Sequence, residues 1–122
     1  MIRKTKVLIV DDSVSVQNVL QQILSSDPEI EITGVASDPY EAVTKIAAEL
    51  PDVITLDIEM PRMDGLTFLS KLMKQHPIPV VVITSVADET SEKGLKALKL
   101  GAREIITKPK LASSELIEEY SI

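Results

Sequence analysis

Val53-Ile54-Thr55-Leu56-Asp57-Ile58-Glu59-Met60-Pro61-Arg62-Met63-Asp64-Gly65 is the stretch on which the reading of the fold turns. Its first four residues are apolar or β-branched, as in a strand covered on both faces. The run then breaks into acidic residues, Pro61 and Asp64-Gly65, the residue types that turns require. The pattern predicts a strand over Val53 to Leu56 that ends in Asp57, and a loop over 57 to 65 that leads into a helix.

The same alternation extends to either side. Lys6 to Val10, Glu31 to Ala36, Val80 to Thr84 and Glu104 to Thr107 are further β-branched runs and predicted strands. Between them lie segments of helical period. Val16, Val19, Leu20, Ile23 and Leu24 form one stripe, Val43, Ile46, Ala47 and Leu50 a second, and Leu66, Leu69, Leu72 and Met73 a third. A fourth surrounds Leu95 and Leu98 and stops at Gly101, and a short last helix is predicted over 114–120. Each stripe is expected to face the core. Asp38 is placed to cap the second helix, with Pro39 at its first position and Glu41 where a capping box holds an acid. Five alternations with short connections predict a doubly wound α/β fold, a five-stranded parallel sheet with helices on both faces. The strand order 2-1-3-4-5 is expected by analogy with other open sheets of this kind, whose ligands bind beyond the carboxyl ends where the winding reverses.

Composition narrows the function classes. A chain of 122 residues is expected to form one domain spanning 1–122, and with 2% aromatic residues its core must be aliphatic. A net charge of -6 opposes direct binding to nucleic acid, which relies on clustered cations. There is no cysteine for a disulfide or a thiolate site. Only Val7 to Val10 are apolar before Asp11 and Asp12, too short for a signal-peptide core, and Val80 to Ile83 cannot span a bilayer. A cytoplasmic protein with no membrane partner is expected.

The predicted strand ends carry the chemistry. The first ends in Asp11-Asp12, the third in Asp57 with Glu59 just beyond, the fourth in Thr84-Ser85 and the fifth in Lys108-Pro109. Singly, such residues are helix caps or solvated charges. Meeting at one rim, the carboxylates repel one another unless a cation sits among them. Hard oxygen donors without His or Cys point to Mg²⁺. A carboxylate that attacks a phosphoryl group needs the charge on that group neutralised, a task suited to Mg²⁺ and Lys108, while Thr84 is placed to donate a hydroxyl hydrogen bond to the product.

Val-Asp-Asp-Ser at 10–13, Leu-Asp-Ile-Glu-Met-Pro-Arg-Met-Asp-Gly at 56–65, Ile-Thr-Ser at 83–85 and Thr-Lys-Pro at 107–109 resemble the response-regulator receiver domains of two-component signalling. The resemblance implies a flavodoxin-like receiver fold, Asp57 as phosphoacceptor, and a histidine kinase as phosphodonor. It implies Mg²⁺ bound by Asp11, Asp12, Asp57 and the backbone carbonyl of Glu59, Thr84 as switch hydroxyl, and Lys108 as phosphoryl contact with a cis bond to Pro109. It also implies that the domain catalyses its own phosphorylation and dephosphorylation and switches an output domain or partner protein. Glu59 and the run from Met60 to Leu69 look more narrowly like the N-terminal receiver of chemotaxis protein-glutamate methylesterases. Their hydrolase domain is expected to lie outside this chain. A departure is Ile105, where receivers often carry an aromatic ring. The alternatives are a stand-alone or transcription-factor-type receiver and, in another class, an aspartate-nucleophile phosphatase, whose acidic pair would follow the first strand rather than the third. No Gly-x-Gly-x-x-Gly follows the first strand, which disfavours a dinucleotide site.

Overall fold

Strand and helix alternate as expected in the computed structural model, which describes residues 3–60, 64–84 and 92–107. In chain order the elements are β1 (Thr5–Val10), α1 (Val14–Ser25), β2 (Ile30–Ala36), α2 (Pro39–Ala48), β3 (Val53–Asp57), α3 (Gly65–Gln75), β4 (Val80–Thr84), α4 (Glu92–Lys99) and β5 (Glu104–Thr107). All strand pairs are parallel and the order is β2-β1-β3-β4-β5. The helix expected over 114–120, Lys108 and its bond to Pro109 lie outside the described residues.

Successive side chains of a strand point to opposite faces, and this divides the interior in two. Leu8, Val10, Ile54, Leu56, Val80 and Val82 pack with Phe68, Leu69, Leu72 and Ala97 from α3 and α4. Val7, Ile9 and Ile83 pack on the other face with Val16 and Leu20 of α1. Burial on both faces explains why the central strands are nearly all apolar. At the sheet edge, Thr33 is an extra residue in β2, because Val7 pairs with Ile32 while Leu8 already pairs with Gly34. Among the described residues no helix is long and apolar enough to cross a membrane.

The helix termini follow their side chains. Ser13 caps α1 by accepting from the Val16 N–H at 3.3 Å, and Asp38 caps α2 by accepting from the Glu41 N–H at 2.8 Å, with Pro39 at the first turn. α4 closes with Gly101 at φ 118°, where the Gly101 N–H donates to the Leu98 carbonyl and the Ala102 N–H to the Ala97 carbonyl. This paired arrangement needs a left-handed residue, and glycine takes that conformation without a Cβ penalty.

Two predicted stripes are rotated. In α2 the buried residues are Pro39 and Ala42, with Ile46 packed against the core, whereas Val43 and Ala47 are exposed and Leu50 lies beyond the helix, also exposed. In α4 the core side is Gly94 and Ala97, and Leu95 and Leu98 face solvent. The reason is the same in both. A small residue lets the helix axis approach the layer beneath, and close packing there outweighs the burial of the larger side chain one position along. Tyr40 and Val43 line an open groove against Phe68 and Leu72 of α3.

One glycine sets the path from β3 into α3. A Cβ on Gly65 would lie 2.3 Å from Ile58 Cα and 2.8 Å from the Asp57 carbonyl oxygen, so the helix start rests directly on the backbone beside Asp57. The Gly65 N–H donates to the Ile58 carbonyl at 3.2 Å, and the Asp64 side chain caps the helix. Gly65→Ala should therefore destabilise the domain by about 3 kcal/mol, the upper end of overpacking costs, in urea unfolding. A loss below about 0.5 kcal/mol would mean that the loop yields without strain.

Candidate metal centre

β1 and β3 are neighbours with Val10 opposite Leu56, so the next residues, Asp11 and Asp57, emerge side by side at the carboxyl edge of the sheet. The winding reverses between these two strands, the place where open α/β sheets leave a crevice. Asp57 is the last residue of β3 rather than the first of the loop, and it is fully buried. Asp11 is buried and Asp12 is exposed. One carboxylate oxygen from each of Asp11, Asp12 and Asp57 lies within 4.8 Å of the others.

Short-range backbone bonds aim these groups. The Ser13 N–H donates to Asp11 Oδ1 at 2.8 Å, and the Glu59 N–H donates to Asp57 Oδ1 at the same distance. Both are turns in which an aspartate holds the amide two residues on, so each carboxylate is fixed to its own loop. The Asp11 N–H donates to the Ala36 carbonyl at the end of β2, at 2.9 Å, which ties the first loop to the sheet edge.

Like charges gathered where water is scarce raise one another's energy steeply, and a cation is the direct remedy. The donors are carboxylate oxygens only, with no His or Cys in the group. That set suits Mg²⁺, which takes one or two carboxylates and keeps several waters. Glu59 is exposed and its side chain is not one of the three clustered carboxylates, so the four-carboxylate cluster expected from the sequence is a group of three among the described residues. Its main chain, which already meets Asp57, is what Glu59 brings to the rim.

The neighbouring strand end is unusual in a different way. Asp57 pairs with Ile83, and Thr84 stands one residue further along β4. The Thr84 hydroxyl is fully buried and has no hydrogen-bond partner among the described residues, and Thr107, its register partner on β5, is in the same condition. A buried hydroxyl without a partner is costly. An acceptor entering at this rim would satisfy it. Thr84 was expected from its strand-end position, whereas Thr107 was not singled out; a β-branched polar residue opposite Thr84 in register was the available signal. Gln17 was also missed, a polar residue buried within the stripe of α1. Ile105 is half-buried against the larger core. His76 caps the end of α3 in an exposed position, and Met60 and Met73 pack against the core. Lys108 and the loop residues 61–63 lie outside the described residues.

Comparison with known proteins agrees with this geometry. Residues 7–121 match the family described as the response regulator receiver domain. The chain is 54% identical over 122 residues to a protein-glutamate methylesterase/protein-glutamine glutaminase of Oleidesulfovibrio alaskensis, covering all of this chain and 34% of that protein. The chain thus spans about a third of the length of the curated relatives it matches. Among solved structures, the response regulator domain of Thermotoga maritima CheB superposes with a TM-score of 0.84 at 39% identity, covering 98% of this chain and 89% of that one. A chain of the CheX-CheY-BeF3-Mg²⁺ complex from Borrelia burgdorferi has a TM-score of 0.78 at 38% identity, covering 88% and 80%. With the sheet order, the acidic cluster at the reversal of winding and a family match over nearly its whole length, the chain belongs to the response regulator receiver domains of two-component systems.

Proposed function

We propose that Asp57 accepts a phosphoryl group from a histidine kinase and that Asp11, Asp12, Asp57 and the backbone carbonyl of Glu59 hold Mg²⁺ beside it. Thr84 and Lys108 bind the phosphoryl oxygens of the product. The observation that carries this reading is the convergence of three carboxylates, two of them buried, next to a buried hydroxyl without a partner among the described residues. Bound at this rim, Mg²⁺ would neutralise the oxygens of the transferring group, whose charge otherwise opposes attack by a carboxylate.

The chain's own residues supply the rest. Asp57 provides the attacking oxygen; its bond to phosphorus forms as the P–N bond of a phosphohistidine donor breaks, and the departing imidazole keeps the electron pair and takes up a proton. The Glu59 N–H on Asp57 Oδ1 fixes the rotation of that carboxylate before the donor arrives. Lys108 is assigned the compensating positive charge. Thr84 donates its hydroxyl to the phosphoryl group, which adds about 1.5 to 2 negative charges to the site.

The output is assigned from the relatives. They are protein-glutamate methylesterases of which this chain matches about a third, so the receiver, a single domain over residues 1–122, is proposed to regulate such a hydrolase domain. Its setting is proposed to be chemotaxis in the cytoplasm. Ile105 in place of a ring leaves no aromatic rotamer to relay the signal, and a β-branched side chain is stiff at χ1. The switch is therefore assigned to the backbone that follows Thr84.

Acetyl phosphate with Mg²⁺ should add one phosphoryl mass to the intact protein, and Asp57→Asn should remove that adduct; an undiminished adduct would place the acceptor elsewhere, and steady turnover would indicate a phosphatase. Chelating Mg²⁺ should abolish the adduct without unfolding the domain, whose aliphatic core is independent of the site, although the melting temperature falls with the loss of a ligand that binds only the folded state. By calorimetric titration Asp12→Asn should bind Mg²⁺ at least about tenfold more weakly, while Glu59→Gln should change affinity less, because a backbone oxygen is the ligand there. Thr84→Val should stabilise the unphosphorylated domain by about 1 kcal/mol, since it removes a buried hydroxyl that has no partner, yet lose the amide shifts that beryllofluoride induces in the wild type. Wild-type shifts in Thr84→Val would remove the hydroxyl from the switch.

A further inference from the structure

Gln17 is the one buried polar side chain on a described helix. It sits in the first turns of α1 between Val16 and Leu20, a position that an aliphatic residue would fill with no desolvation cost. Its amide is nevertheless satisfied. Nε2 donates to the Asp11 carbonyl at 2.5 Å and to Ser37 Oγ at 3.3 Å, so both amide protons are used. A carbonyl only accepts, which sets the orientation of the amide with nitrogen toward Asp11.

These bonds complete a frame around one residue. The Asp11 N–H is held by the Ala36 carbonyl, its carbonyl by Gln17, and its Oδ1 by the Ser13 N–H. Gln17 is itself anchored, since its N–H donates to the Ser13 carbonyl at 2.9 Å. The side chain therefore bridges the loop after β1 to the loop after β2, and its end lies on the main chain of a carboxylate in the cluster. Asp11 is buried beside Asp57, where repulsion between the two acts to push their backbones apart. An amide donor fixed on the Asp11 carbonyl, and anchored in turn on Ser37, restricts movement of that main chain.

We infer that Gln17 is a positioning residue for the metal centre: it holds Asp11 in the geometry that binds Mg²⁺. The inference rests on the proposed receiver site and deepens it. Partners behind a metal ligand are typically worth about 10- to 100-fold in affinity, and a bond to the ligand's main chain rather than to its carboxylate belongs at the low end.

The test compares Gln17→Met, which keeps volume and helix propensity but removes the donor, with the wild type by calorimetric Mg²⁺ titration and urea unfolding. Gln17→Met should bind Mg²⁺ about tenfold more weakly. Before any metal is added, its Ser13 amide resonance should already be displaced, because the Asp11 carboxylate that this amide contacts has shifted. Ser37→Ala removes the second anchor of the same amide and should weaken Mg²⁺ binding about threefold; it decides the matter if Gln17→Met does not fold. Wild-type affinity in folded Gln17→Met, or in Ser37→Ala where that variant must decide, would overturn the role. Failure of the wild type itself to bind Mg²⁺ would instead overturn the receiver site, so the two outcomes are separable.

Discussion

Asp11 and Asp57 are buried like charges on adjacent strands, and much of the structure is arranged to hold them there. Their repulsion is strong because water is excluded, and it is tolerable only if the backbones that carry them cannot separate. β1 and β3 provide that restraint through a parallel ladder from Val7 opposite Val53 to Val10 opposite Leu56. Both strands are central, flanked by β2 on one side and β4 on the other. A charged rim is thus mounted on the least deformable part of the sheet.

The aliphatic core serves the same end. Two separate clusters, one on each face, clamp β1 and β3 from above and below, and neither includes a residue of the acidic group. Stability and site are therefore physically distinct. Carboxylates can be altered without opening a cavity, whereas loss of a buried aliphatic side chain would loosen the ladder that spaces them. Gly65 links the two, because α3 begins in contact with the backbone that carries Asp57.

Among the described residues, two of the three buried hydroxyls without a partner stand at the rim, while the third, Thr55, lies within β3. Buried hydroxyls normally find a partner, and Thr84 and Thr107 have none among the described residues although they stand together at the rim. Such a defect is retained when an entering ligand corrects it. The main chain and Oδ1 of Asp11 show the opposite condition, held through Ala36, Gln17 and Ser13. One part of the rim is held ready and the other waits for an oxygen acceptor.

Element type and the acidic residues were legible in the chain because each rests on local rules. β-branched runs bounded by Asp57 or Thr84, and Asp38 followed by Pro39, declare strands and a helix start wherever they occur. Asp11, Asp12, Asp57 and Thr84 were visible as strand-end residues for the same reason. Which face a short helix buries was not legible: Ala42 and Gly94 displaced Val43 and Leu95 from the core side because fit to the layer beneath, and not hydrophobicity alone, chooses the face. Nor could the chain reveal that Gln17 reaches Asp11, or that Thr107 pairs with Thr84, since hydrogen bonding and register join residues only after the sheet has closed. The sequence by itself determined the elements and the chemical types at their ends. The tertiary structure decided which three carboxylates share one site, because only the parallel pairing of β1 with β3 brings those ends within reach.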